Sequence, residues 1–129
     1  MTVVIGYVPN AYGEAALEAG IEEARRRHTD ILVVNTSKGD SLVDTKYVGE
    51  SAWAELQNRL HGLDISHEVR QTIGPDVADE LLDAVRDVDA EAVVIGIRQR
   101  TAVGKMLMGS VAQQVLLEAP CPVIAVKPA

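Results

Sequence analysis

The chain alternates between apolar runs of strand length and segments with helical apolar spacing, and this order constrains its fold more than any other feature. Apolar runs typical of buried strands occupy residues 3–7, 31–34, 92–95 and 123–126, and positions 65, 67 and 69 alternate as a further strand. Between them lie helical segments marked by Leu17, Ile21 and Ala24, by Trp53, Leu56 and Leu60, by Val77, Leu81 and Val85 behind Gly74-Pro75, and by a run from Ser110 to Pro120. The pattern is (βα)4β, with Pro75 at the first helical position of the third helix.

Strands that are joined through helices run parallel, because each right-handed crossover returns the chain to the same end of the sheet. The nearly continuous Val, Ile and Leu of residues 3–5, 31–34 and 92–95 indicate strands that are covered on both faces. We therefore predict an α/β fold of the flavodoxin or Rossmann type, with a single doubly wound five-stranded parallel sheet. Residues 1–129 form one domain in this interpretation, and residues 36–47 form a mobile polar loop.

Composition narrows the classes of function. The chain has 12 Lys and Arg against 19 Asp and Glu, yet no acid lies between Glu91 and Glu118, a window that holds Arg98, Arg100 and Lys105. A local basic patch on an acidic protein fits a small anion better than a nucleic acid, which needs a wide basic face. The lack of an apolar run of about 20 residues argues against a membrane span. The lone Cys121 and the absence of a leader sequence predict a cytoplasmic protein.

A glycine-punctuated basic loop follows the fourth predicted strand and ends at a helix start. It begins at Gly96, and Ser110 to Gln113 has the S-x-x-Q form of a capping box with Ser110 as the N-cap. The N–H groups of Gly109, Ser110 and Val111 would then point unpaired toward the loop and favour a phosphate. Doubly wound sheets bind ligands where the winding reverses, here between strands one and four. That crevice adds four further residues, namely Val8, Pro9, Val34 and Asn35.

These residues resemble the universal stress protein family, whose nucleotide-binding members carry G-x2-G-x9-G-(S/T) after strand four. Gly96, Gly109 and Ser110 occupy the first, third and final motif positions, and residues 119–126 are similar to the family's C-terminal strand. The resemblance covers essentially the whole chain. Two positions depart from it, because Gln99 stands where the family has its second glycine, and Val8 stands where ATP-binding members have an aspartate.

The resemblance implies a regulatory module for stress responses that binds ATP or another adenine nucleotide as a homodimer. The dimer would form through the C-terminal strand, by Val123, Ile124 and Val126, with unknown protein partners besides. The implied nucleotide-binding residues are Val8, Pro9, Val34, Asn35, Gly96, Arg98, Gln99, Arg100, Lys105, Gly109, Ser110 and Val111. We expect no enzyme, since no catalytic base is evident, although a weak ATPase stays open, and no metal or flavin. The alternative is a homodimeric protein-interaction module whose nucleotide site is closed by Val8, Pro9 and Gln99.

Overall fold

The computed structural model describes residues 1–37, 49–74, 76–97 and 109–128. Strands and helices alternate along these ranges, which confirms the (βα)4β pattern. The elements are β1 (Thr2–Gly6), α1 (Ala11–Arg27), β2 (Asp30–Ser37), α2 (Glu50–His61), β3 (His67–Ile73), α3 (Val77–Asp87), β4 (Ala92–Gly96), α4 (Ser110–Glu118) and β5 (Val123–Val126). No helix within the described ranges combines the length and the apolar character that crossing a bilayer requires.

The strands form one parallel sheet in the order β3-β2-β1-β4-β5. β1 pairs with β2 on one side, where Gly6 lies opposite Val34, and with β4 on the other, where Ile5 lies opposite Val94. The winding therefore reverses between β1 and β4, as predicted. The helices that follow these two neighbouring strands, α1 after β1 and α4 after β4, lie on opposite faces of the sheet. A crevice therefore opens between the carboxyl ends of β1 and β4.

Both faces of the sheet are covered, as the apolar strands predict. Val3 and Ile5 of β1 belong to a buried cluster with residues of α1 and α2. Val4 of the same strand belongs to a second cluster with residues of α3 and α4 on the opposite face. Alternate residues of one strand feed the two clusters because successive side chains point to opposite sides of the sheet. The sheet is thus the middle layer of an α/β/α sandwich.

Two predicted boundaries around β2 and β3 are wrong. β3 begins at His67 and not at Ile65, which lies in the preceding connection, and the strand continues to Ile73. Residues 36 and 37, predicted as loop, belong to β2 and pair with Thr72 and Ile73. The hydroxyls of Thr36 and Thr72 are hydrogen-bonded at 2.8 Å, so polar partners extend this strand pair beyond its apolar run. The remainder of the predicted loop, residues 38–47, lies outside the described residues.

The start of α3 also differs from the prediction. The helix begins at Val77, and Asp76 is its N-cap, with the Asp76 carboxylate accepting the N–H of Asp79 at 3.0 Å. Pro75 therefore precedes the cap and does not occupy the first helical position; its own placement lies outside the described residues. An aspartate that bonds a first-turn N–H satisfies a group that would otherwise have no partner, so Asp76 defines the helix start better than the proline does.

Candidate functional site

Most of the predicted site residues that the structure describes lie along one edge of the sheet. Val8 and Pro9 form the turn between β1 and α1, Val34 and Asn35 lie near the carboxyl end of β2, and Gly96 is the last residue of β4. Gly109, Ser110 and Val111 lie at the start of α4, on the same edge, because this helix runs back against the parallel strands that it joins. The predicted residues outside the described ranges are Arg98, Gln99, Arg100 and Lys105.

The turn after β1 is folded back onto its own helix. The carbonyl of Val8 accepts the N–H of Asn10 at 2.8 Å. The Asn10 side chain in turn accepts the N–H groups of Tyr12 and Gly13, at 3.0 and 3.2 Å. A Cβ built on Gly13 would stand 1.7 Å from the Val8 oxygen, so only glycine permits this approach. The start of α1 is therefore capped from within the chain, and the Val8 carbonyl points at the helix.

Asn35 connects the ends of three adjacent strands from a fully buried position. Its side-chain amide donates to the carbonyl of Tyr7 at 2.9 Å, and its side-chain oxygen accepts from the Gln71 amide at 3.1 Å. The N–H of Tyr7 also donates to the carbonyl of Val34 at 2.8 Å. These bonds fix the floor of the crevice, since a buried amide with satisfied partners tolerates little displacement.

Gly96 brings β4 into main-chain contact with α1. A Cβ built on Gly96 would stand 2.3 Å from the carbonyl oxygen of Tyr12 and 2.9 Å from its Cβ. The missing side chain at Gly96 thus accommodates the first turn of α1. The sequence motif predicts a nucleotide-binding role for Gly96 and does not predict this packing role.

The start of α4 differs from the predicted capping box. Gly109 is the N-cap and Ser110 is the first helical residue, so Ser110 lies one position too far into the helix to cap it. The first-turn bond runs from the N–H of Gln113 to the carbonyl of Gly109 at 3.0 Å. Asn10 and Asp76 accept first-turn N–H groups of α1 and α3, whereas no side chain of the described residues accepts those of α4, and the Gly49 cap of α2 makes no such bond either. The positive end of the α4 dipole favours an anion at this position.

A network of Tyr7, Glu14 and Arg59 lies on the face of the sheet covered by α1 and α2. The Tyr7 hydroxyl donates to Glu14 Oε1 at 2.7 Å, and the Arg59 guanidinium donates to both Glu14 oxygens at 3.1 and 2.8 Å. Burial, followed by the bond to Glu14, raises the pKa of Tyr7 to about 12. The hydrogen bond from Arg59 lowers the pKa of Glu14. Sequence reasoning missed this network because its members lie on three separate elements.

A cleft of about 760 Å³ lies at the opposite edge of the sheet, where β1 and β2 begin and α1 ends. Its charged lining consists of Arg25, Arg27, Asp30, Asp64 and Glu91, with His28 beside them. Cations and carboxylates therefore share this edge, which lies at the amino ends of the strands and away from the crevice between β1 and β4. Over the residues that the structure describes, no group of three His, Cys, Asp or Glu side chains is arranged to hold a metal ion.

The profile of the universal stress protein family matches residues 1–127. The chain belongs to the universal stress protein family. It is 48% identical to a universal stress protein of Mycolicibacterium smegmatis over 126 residues, which cover 98% of this chain and 97% of that protein. Its fold matches that of a universal stress protein from Archaeoglobus fulgidus with a TM-score of 0.79 and 32% identity, over 98% of each chain.

A second solved structure is the universal stress protein from Archaeoglobus fulgidus in complex with dAMP. It matches with a TM-score of 0.71 and 29% identity, over 98% of each chain. The resemblance found in the glycine motif and the C-terminal strand is therefore confirmed as family membership, and the doubly wound α/β fold is confirmed with it.

Proposed function

We propose that this universal stress protein binds an adenine nucleotide, ATP among them, in the crevice between β1 and β4, with the phosphates against the start of α4. The observation that carries the proposal is the start of α4 at Gly109, where no side chain of the described residues accepts the first N–H groups and the helix dipole favours an anion. A relative with 29% identity over the whole chain that forms a complex with dAMP supports the class of ligand. Arg98, Gln99, Arg100 and Lys105 would screen or bond the phosphates from the loop before α4.

We further propose that the module is a homodimer and regulates without turning over its nucleotide. β5 is an edge strand, and the N–H groups of Val93 in β4 and of Ile97 just after it donate to the carbonyls of Pro122 and Val126. Because bonding directions alternate along a strand, the main-chain groups of Val123 and Ala125 point to the open side. A second copy of β5 in antiparallel register would satisfy them and bury the half-exposed Val123, Ile124 and Val126.

One observation favours the alternative of a protein-interaction module with a closed nucleotide site. The turn after β1 has no carboxylate, its Val8 carbonyl bonds Asn10, and Asn10 occupies the first N–H groups of α1. This turn therefore offers a nucleotide less than an aspartate would, because a charge-assisted hydrogen bond contributes about 1.5–3 kcal/mol. Binding would then rest on the α4 side of the crevice alone.

Two matched glycine variants test the proposed site. Gly109 and Gly49 are both N-caps with ordinary extended backbone, at φ −64° and −73°, and an added Cβ would meet no described atom within 4 Å at either. Gly109→Val should therefore fold as well as Gly49→Val does. Titration calorimetry with AMP, ADP, ATP and dAMP should show binding by the unmodified protein and by Gly49→Val, and none by Gly109→Val.

Two outcomes would contradict the proposal. Equal affinities of Gly109→Val and the unmodified protein would remove the phosphate site from α4. No binding by the unmodified protein, together with no nucleotide released from it in mass spectrometry, would favour the interaction module instead.

A further inference from the structure

We propose that Glu14 and Arg59 are positioning residues for the nucleotide crevice: their ion pair holds α2 against the first turn of α1, next to the turn after β1, and so sets the affinity for nucleotide. This inference rests on the proposed function. Neither residue carries a family motif, and neither is among the predicted binding residues. The Glu14 carboxylate accepts three hydrogen bonds, one from the Tyr7 hydroxyl and two from the Arg59 guanidinium.

Tyr7 is the residue through which β1 enters the turn, and it is held at three points. Its N–H bonds the Val34 carbonyl at 2.8 Å, its carbonyl accepts from Asn35 at 2.9 Å, and its hydroxyl bonds Glu14 at 2.7 Å. The first two bonds come from the neighbouring strand and move with the sheet. The hydroxyl is the one of these three bonds that reaches α1, and the Tyr7 side chain also packs in the apolar cluster with residues of α1 and α2. The Glu14 carboxylate therefore helps to set how the first turn of α1 lies over the turn after β1.

The position of Glu14 affects the crevice through the turn after β1. Glu14 lies in the first turn of α1, its N–H donates to the carbonyl of Asn10 at 3.0 Å, and Asn10 bonds Val8 on its other side. The same turn of helix touches Gly96 through the Tyr12 main chain. A shift of Glu14 would therefore displace both walls of the crevice, the turn after β1 and the end of β4.

Arg59 supplies the link to a second helix. Its guanidinium donates hydrogen bonds to both oxygens of Glu14. This bidentate geometry fixes the plane of the carboxylate as well as its distance from the guanidinium. The two side chains are 51% and 42% exposed, and exposed pairs contribute little to global stability. Loss of Arg59 should for this reason leave the protein folded while it releases the carboxylate from its fixed orientation.

The test compares Arg59→Met with Arg86→Met as a matched control. Arg86 forms a similarly exposed pair with Asp83 on α3, at 3.6 Å, on the other face of the sheet. In calorimetric titrations with AMP, Arg59→Met should bind about three- to tenfold more weakly than the unmodified protein, and Arg86→Met should bind unchanged. Arg59→Lys keeps the charge but loses the bidentate hydrogen bond, so its affinity for AMP should lie between those of Arg59→Met and the unmodified protein.

A second measurement separates positioning from general weakening. Hydrogen exchange at the Asn10 N–H, which closes the turn on Val8, should be faster in Arg59→Met and unchanged in Arg86→Met, without any nucleotide present. Unchanged AMP affinity or unchanged exchange in Arg59→Met would overturn this proposal alone. If the unmodified protein binds no AMP, the proposed function fails first and this inference falls with it.

Discussion

Gly96 and Tyr12 lie in direct main-chain contact, with the position of an added Gly96 Cβ only 2.3 Å from the Tyr12 carbonyl oxygen. This contact joins the end of β4 to the first turn of α1 at the bottom of the crevice. The glycine that opens the nucleotide motif is thus required by the packing of the fold before any ligand is considered. Its presence in a sequence is for that reason weak support for nucleotide binding.

Gly96→Ala should destabilise the protein by about 1–3 kcal/mol, because the new methyl group overlaps backbone that cannot rotate away. Urea unfolding of the two proteins measures the difference. Gly62→Ala is the control, since Gly62 has ordinary helical backbone angles, its added Cβ would make only ordinary contacts at 3.5 Å or more, and its change should stay within about 0.5 kcal/mol. Equal effects of the two substitutions would show that α1 can yield at Tyr12.

Asn35→Leu should cost about 1–3 kcal/mol of unfolding free energy, because it keeps the branched shape but removes the amide that bonds the Tyr7 carbonyl and the Gln71 side chain. Asn58→Leu, on the exposed side of α2, is the matched substitution and should cost far less. Urea midpoints and slopes of both variants provide the measurement. A stabilised Asn35→Leu variant would mean that the buried amide is replaceable by apolar packing.

Tyr7 should ionise only at strongly alkaline pH, because burial and Glu14 raise its pKa from 10.0 to about 12. The folded protein holds this proton more tightly than the unfolded chain does. The resulting stability is therefore fully present below pH 10.0 and is lost as the pH climbs toward about 12.

The free energy of unfolding of the unmodified protein relative to Tyr7→Phe measures that loss. The difference should be constant around about pH 8 and should shrink above about pH 10. Ultraviolet titration should show a phenolate step at about pH 12 that is missing in Tyr7→Phe. A difference that does not change over the alkaline range would contradict the raised pKa.

Ala125→Glu should shift the proposed dimer toward monomer, because Ala125 is exposed on the edge strand and two copies would bring like charges together. Ala54→Glu, at an exposed position of α2, makes the same change of charge away from that edge. Sedimentation at about 100 μM would resolve the two species, since a micromolar dimer is mostly assembled there. A monomeric unmodified protein would contradict the proposed assembly.

Prediction from the sequence succeeded for elements that a local pattern of side chains specifies. It failed at element boundaries, which depend on cap geometry or on a partner from another strand. The apolar runs around Val4 and Val93 specify buried parallel strands, and their order with the helices specifies the crevice between β1 and β4. The S-x-x-Q pattern at Ser110 did not specify the helix start, because Gly109 adopts the extended backbone of an N-cap and the helix begins one residue earlier than predicted. The polar end of β2 looked like loop, because its partner Thr72 lies on another strand.

The sequence by itself determined the order of elements, the parallel sheet and its switch point, since side-chain periodicity and the handedness of crossovers act over short stretches of chain. Tertiary structure alone decided three contacts: the hydrogen bonds of Asn35 to the two neighbouring strands, the packing of the Tyr12 carbonyl against Gly96, and the bidentate bond of Arg59 to Glu14. Each of these depends on how segments far apart in the chain approach one another in space. Hydrophobic periodicity carries no information on such distances, and close packing of the finished sandwich sets them.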